Sequence, residues 1–176
     1  HIYGVGYHID STNATQYTYI SGSISFSDGS DGSIIQGLYI GSGITVNYGH
    51  KVDNLVIRRN YIGSTVSFSG DFNASESSKS SNIEFYENIV GDVVSCEFST
   101  NIHIHHNVFK RLANIKENGW IHHNLWVESN YNSLSNTFNS LFENNYIENG
   151  WWGFNNVTNN TFRNNAFNFD PTADLN

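Results

Sequence analysis

A nine-residue pattern recurs along the chain: Asn, two residues, a large apolar residue, two residues, Asn, one residue, a large apolar residue. Strict copies begin at Asn54, Asn82, Asn101, Asn118, Asn139 and Asn159, reading NLVIRRNYI, NIEFYENIV, NIHIHHNVF, NGWIHHNLW, NSLFENNYI and NNTFRNNAF. A looser copy, DGSIIQGLY, begins at Asp31 with Gly37 in place of the second Asn. Successive copies start 23, 28, 19, 17, 21 and 20 residues apart. Self-similarity at such a period marks stacked units, each burying its apolar face only against its neighbours.

The columns of the pattern carry physical meaning. The fourth holds Ile34, Ile57, Phe85, Ile104, Ile121, Phe142 and Phe162, and the ninth holds Tyr39, Ile62, Val90, Phe109, Trp126, Ile147 and Phe167. Both are always large and apolar, as core positions must be. The seventh holds Gly37 and then Asn60, Asn88, Asn107, Asn124, Asn145 and Asn165. Gly and Asn best tolerate left-handed backbone, so this column reads as a tight turn between two short strands. Stacking would also align the Asn side chains into a hydrogen-bonded ladder. Between copies, Ile44/Val46, Val66/Phe68 and Val94/Cys96/Phe98 alternate with period two, the mark of further strands with one buried face.

Helical periodicity is almost absent. Pro171, the one proline, falls after the last copy, where a missing N–H harms no ladder. Leucine-rich repeats of similar length need a regular Leu consensus, and left-handed hexapeptide helices prefer multiples of six. The sequence lacks that consensus, and its spacings wander between 17 and 28. The expected fold is all-β: a right-handed parallel β-helix of about seven coils, each of roughly 21 residues. Residues 1–176 read as a single β-helix domain excerpted from a longer chain, with 1–30 as opening coil, 31–167 as repeats and 168–176 as cap or linker.

Charge narrows the function classes. Eight Lys+Arg against 16 Asp+Glu give a net charge of −8, and 14% of residues are charged, where about 25% is usual. The acidic balance removes the basic footprint of a nucleic-acid binder. No apolar run approaches the ~20 residues of a membrane span. With 4 Trp, 10 Tyr and 12 Phe the chain is too aromatic for disorder. Cys96 is the only cysteine, which excludes an intrachain disulfide and a cysteine-based zinc cage.

The N-I-x-I-x-x-N-x-F type of repeat resembles the coils of the pectin-lyase-like parallel β-helix superfamily. Its Asn-rich turns and weak charge resemble most the β-helix regions of bacterial secreted and cell-surface proteins. The resemblance covers roughly residues 31–167, and His1–Gly6 resembles the opening coil such regions often have. It implies a fold more than an activity, because the superfamily includes polysaccharide lyases, hydrolases, epimerases, tailspikes and inert stalks. Lyases of the superfamily use Lys or Arg as base beside clustered acids that hold Ca²⁺. Here Arg58-Arg59 is accompanied only by scattered Asp53, Asp71 and Glu76, and the paired Asp motifs of polygalacturonase-type hydrolases are missing. The expected function is a non-catalytic extracellular or cell-surface module, a stalk or adhesin-like element contacting polysaccharide or other surface proteins. The alternatives are a polysaccharide lyase or hydrolase and, second, an assembly protein such as a tailspike or filament subunit.

Histidine supplies the strongest chemical constellation. His105 and His122 share the fifth position, and His106 and His123 the sixth. Coils about 4.8 Å apart would bring these four imidazoles to one edge. Glu87 holds the sixth position one coil earlier, and Glu143 the fifth one coil later. Imidazole with carboxylate suits acid–base work or a transition metal, so His105, His106, His122, His123 and Glu87 are catalytic candidates, and His106 and His123 metal candidates. The competing reading makes both columns exposed turn positions, which elsewhere hold Arg58, Tyr86, Arg163, Asn144 and Asn164. Trp151-Trp152, flanked by Gly150 and Gly153, is a candidate glycan platform. Its competing reading is that one of the pair points into the core, as Trp126 is expected to do. His1, with His8 and Tyr7 nearby, carries the donors of an N-terminal copper site on a scaffold unlike the β-sandwich of the copper monooxygenases. No cofactor is expected under the leading reading, and Ca²⁺ or Zn²⁺ only under the enzyme alternative.

Overall fold

The computed structural model describes residues 1–4, 17–68, 79–97, 99–127, 131–148 and 151–168; for 131–133, 135 and 151–154 only the backbone is described. Every strand pairing among them is parallel, and the chain winds as a β-solenoid of about six turns with no helix among the described residues. One sheet stacks Ile2–Tyr3, Ile34–Gln36, Val56–Arg58, Ser80–Tyr86, Ser99–His105, Trp120–His122, Leu141–Glu143 and Thr161–Arg163. The other stacks Thr18–Ile20, Leu38–Ile40, Tyr61–Ile62, Ile89–Ser95, Val108–Ala113, Leu125–Trp126, Tyr146–Glu148 and Ala166–Asn168. It continues around a corner into a third arm through Ile24–Phe26, Ile44–Val46 and Val66–Ser67, and on the far side through Tyr131–Ser135 and Trp151–Asn155. At the corner the coils approach closely: a Cβ on Gly63 would lie 2.6 Å from the Gly41 carbonyl oxygen, and one on Gly91 2.5 Å from that of Gly63.

Alternation along each strand fills the core. In the fourth column Ile57, Phe85, Ile104, Ile121 and Phe142 are buried, and in the ninth Ile62, Val90, Phe109, Trp126 and Ile147. The third arm adds Ile44, Val66, Val94 and Leu112 beside Phe26, Val46, Phe68 and Cys96. Burying a side chain of this size removes about 1.5–3 kcal/mol of apolar hydration penalty. Phe162 and Phe167 occupy the same columns in the last described coil, yet remain 43% and 42% exposed, because among the described residues only one coil packs against them.

The seventh column is a ladder. Asn60, Asn88, Asn107, Asn124 and Asn145 are all buried. Each Oδ1 accepts the backbone N–H of the equivalent residue one coil back, at 2.9–3.0 Å from Leu38 through Asn145. Each Nδ2 donates to the fourth-column carbonyl of the preceding coil, from Asn60 on Ile35 (3.2 Å) to Asn165 on Phe142 (2.9 Å). Only a side-chain amide supplies both donor and acceptor in so small a volume. The expected ladder is present, with a different cause. The left-handed residues of the repeat are not in the seventh column but in the first (Asn54, Asn82, Asn101, Asn118, Asn139, Asn159) and sixth (Arg59, Glu87, His106, His123, Asn144, Asn164), with φ between 52° and 58°. The seventh-column Asn is required for its side chain, not for its backbone.

The loose copy is displaced by one residue from its sequence reading. Ile35, not Ile34, pairs with Ile57, and Ile40, not Tyr39, pairs with Ile62. The unit begins at Gly32, whose left-handed φ of 69° matches that of Asn54; Gly37 matches Arg59, and Leu38 stands at the ladder position. Ile35 and Ile40 are accordingly the buried pair, and Ile34 and Tyr39 take the outer face.

Candidate functional site

On the first sheet, strand alternation turns the third and fifth columns outward. Parallel pairing stacks Val56, Glu84, His103, Trp120 and Leu141 in one outward row. It stacks Gln36, Arg58, Tyr86, His105, His122, Glu143 and Arg163 in the next. The sixth column adds Glu87, His106 and His123, whose left-handed backbone lets the chain leave the strand immediately after the fifth. Five histidines from two coils therefore meet on one face.

Their contacts are specific. His105 lies between Tyr86 (ring centroids 4.8 Å, planes 6° apart) and His122 (5.0 Å, 1°). His103 stacks flat on Trp120 at 4.5 Å and 2°. His106 stacks on His123 at 5.1 Å and 3°. Three imidazole–imidazole hydrogen bonds cross these stacks: His103 Nε2 with His122 Nε2 (2.7 Å), His105 Nδ1 with His106 Nδ1 (2.8 Å), and His122 Nδ1 with His123 Nδ1 (2.7 Å). Glu84 Oε2 lies 3.2 Å from His103 Nδ1 and 3.9 Å from His105 Nε2. At the far end Glu143 accepts from Trp120 Nε1 (2.8 Å) and Arg163 Nε (2.6 Å).

Burial, and then the neighbouring imidazoles, push His105 and His122 down to about 4. Both rings are neutral at pH 7, and a neutral imidazole offers one donor and one lone pair. The bond to Arg163, then that from Trp120, holds the Glu143 carboxyl below its ordinary range. The face therefore sets the neutral rings of His105 and His122 beside the ionised Glu143 carboxylate.

The four sequence-predicted histidines, His105, His106, His122 and His123, do come together. His106 and His123 face each other ring to ring, and each already engages Nδ1 with its chain neighbour. Glu87 forms an ion pair with Arg59 one coil back, Oε2 to Nε 2.6 Å. The fifth column is not loosely exposed: Arg58 donates from Nε to Gln36 (2.7 Å) and from Nη1 to Tyr86 Oη (2.6 Å). Asp53 pairs with Lys51 at 2.8 Å and accepts from Ser81; Asp71 and Glu76 lie outside the described residues.

Sequence reasoning missed Glu84 and His103. The signal was present, since His103 precedes His105 by two residues and must share its face, as Glu84 shares that of Tyr86. It also missed the stack of Tyr17, Tyr39 and Tyr61 on the second sheet, at 5.1 and 4.6 Å. Of Trp151 and Trp152 the backbone pairs with Tyr131 and Asn132, while their side chains lie outside the description. Trp126 is fully buried, as its column demands. His1 Nδ1 accepts the Ile34 N–H at 3.2 Å, whereas Tyr7 and His8 lie outside the described residues.

Among the described residues, no helix is long and apolar enough to cross a membrane. No protein-family model matches this chain, and no curated protein or solved structure matches it.

Proposed function

We propose that this chain is a non-catalytic β-solenoid module of an extracellular or cell-surface protein, a stalk or adhesin-like rod that holds binding groups at fixed spacing. The observation that carries this reading is the unbroken Asn60–Asn165 ladder, which locks successive coils in register whatever the outer columns hold. The outer charges support it, because Arg58, Arg59, Arg111 and Arg163 all reach across to residues of adjacent coils. Cations held in this way brace the stack. The polar, weakly charged Asn/Ser/Thr exterior and the aromatic stacks suit contact with polysaccharide or other surface proteins.

The test is a depolymerisation screen of the purified chain on acidic and neutral polysaccharides, with and without Ca²⁺ or Zn²⁺. Reducing ends and the ultraviolet absorbance of unsaturated products are both read. No turnover from protein with an intact β-sheet circular dichroism spectrum is the expected result. Turnover that vanishes in His106→Ala/His123→Ala would replace the stalk by a lyase or hydrolase acting at that edge.

A further inference from the structure

We propose that Glu84, His103 and His105 form a binding site for a divalent transition cation of the imidazole-preferring class, with Zn²⁺ as its representative. This site differs from the His106/His123 edge and does not depend on whether the module is catalytic. One ligand atom from each of the three residues lies within 4.8 Å of the others, and they are the only such set of three among the described residues. Metal–ligand bonds of 2.0–2.2 Å at tetrahedral angles separate neighbouring ligand atoms by about 3.3–3.5 Å. The observed 3.2 Å from Glu84 Oε2 to His103 Nδ1 and 3.9 Å to His105 Nε2 bracket that spacing. Side-chain adjustment brings the imidazole pair, within 4.8 Å at the outset, to the same spacing.

The surroundings favour a metal over a simple ion pair. Both imidazoles are clamped flat, His103 against Trp120 and His105 between Tyr86 and His122, so little rotamer freedom remains to be lost on binding. Their second nitrogens are held as well. With the cation on His103 Nδ1, its Nε2–H donates to His122 Nε2, and His122 Nδ1–H donates to His123 Nδ1. With the cation on His105 Nε2, its Nδ1–H donates to His106 Nδ1. One set of neutral tautomers thus satisfies both nitrogen ligands and all three imidazole–imidazole bonds. This is the outer-shell arrangement that fixes ring orientation around bound metals.

Two nitrogens and one carboxylate oxygen suit Zn²⁺, Ni²⁺ or Cu²⁺ and disfavour Ca²⁺ and Mg²⁺, which seek six or more oxygens. Glu84 is 47% exposed, so the open coordination positions face solvent and can take water or an oxygen of a bound ligand.

The experiment is calorimetric titration of the chelator-stripped full chain with ZnCl₂ at pH 7, using CaCl₂ as control. One equivalent of Zn²⁺ should bind, with Ca²⁺ weaker by at least a hundredfold. Glu84→Gln, a conservative change at a half-exposed position, should weaken Zn²⁺ at least tenfold, and His103→Ala more. His106→Ala/His123→Ala, which removes outer-shell partners but no ligand, should weaken Zn²⁺ by less than His103→Ala does. Nitrogen-15 histidine spectra of the Zn²⁺ form should show His103 ligated through Nδ1 and His105 through Nε2. Unchanged affinity in Glu84→Gln with native circular dichroism would overturn the proposal. So would loss of binding only in the His106/His123 variant, which moves the metal to the outer edge, or Zn²⁺ binding no tighter than Ca²⁺.

Discussion

Two columns run the length of this solenoid, and they differ in kind. The inner seventh column repeats one residue, Asn, from Asn60 to Asn165. The outer fifth column reads Gln36, Arg58, Tyr86, His105, His122, Glu143, Arg163, never the same chemistry over more than two coils. Both are continuous chains of side-chain contacts. Inside, each rung must satisfy the same buried N–H and carbonyl, so a single residue solves every coil. Outside, water can satisfy whatever a neighbour does not, and each rung needs only to suit the next. Uniformity from Asn60 onward marks a structural demand repeated coil after coil, while variety marks the face where a local site can arise.

The sharpest way to break this contrast is Asn107→Ala. Asn107 accepts from the Asn88 N–H and Nδ2, and its Nδ2 shares two hydrogens among Phe85 O, His105 O and Asn124 Oδ1. Its removal strands buried donors and acceptors that no water reaches, at a cost of about 2–4 kcal/mol. The melting temperature should fall by about 10 °C. A loss below about 1 kcal/mol in urea unfolding would show that the ladder is incidental to stability.

The ladder is legible in the sequence while its backbone cause is not, and the same residues show why. Asn at a fixed offset from buried Ile and Phe is visible in any alignment of the chain with itself. Asn tolerance of left-handed backbone points to that column, yet this backbone falls on the first-column Asn and on the sixth column, where Arg59 and Glu87 have no such preference. There the backbone is imposed by the coil: Glu87, His106 and His123 each donate their N–H to the fifth-column carbonyl of the next coil at 3.3 Å. Tertiary geometry overrides propensity, and no local signal reports it. The one-residue shift at Gly32 has a similar origin, since DGSIIQGLY contains two adjacent isoleucines and only the pairing partner decides which is buried. For the site, the fifth and sixth columns were found by repeat position. Glu84 and His103 needed the period-two rule applied across two neighbouring strands at once.

Acid should affect the outer column at an intermediate level. His105 and His122 have folded values near 4, against about 6.5 unfolded. Between those values the unfolded chain binds protons that the folded chain refuses, so stability falls as pH drops from about 6.5 to about 4, and these two groups add nothing further below that. The neighbours facing them are His103, His106 and His123 with Glu84, Glu87 and Glu143. Urea midpoints measured in chelator at pH 7, 5.5 and 4.5 should decline steadily. In His105→Gln/His122→Gln the decline should be shallower; an identical slope would remove these rings as its source.

The smallest effect is expected from Arg58→Ala. Its bonds to Gln36 and Tyr86 are short, but they sit at a half-exposed position. Loss should stay below about 1 kcal/mol, in line with surface charged pairs. A larger loss would place the outer column beside the inner one as a requirement of the fold.

The backbone bonds between coils have a mechanical consequence. They run from one coil to the next, along the axis of the stack, as in Val108 N to Asn88 O and Leu125 N to Asn107 O. Tension applied to the two chain ends peels the outermost coil while inner coils stay closed, because each is held only by its neighbours. Release then comes in steps. A coil of 17 to 28 residues frees about 60 to 100 Å of chain as it opens. The 17-residue coil at Asn101 gives the shortest step, so the force–extension trace would read out the irregular spacing of the repeat.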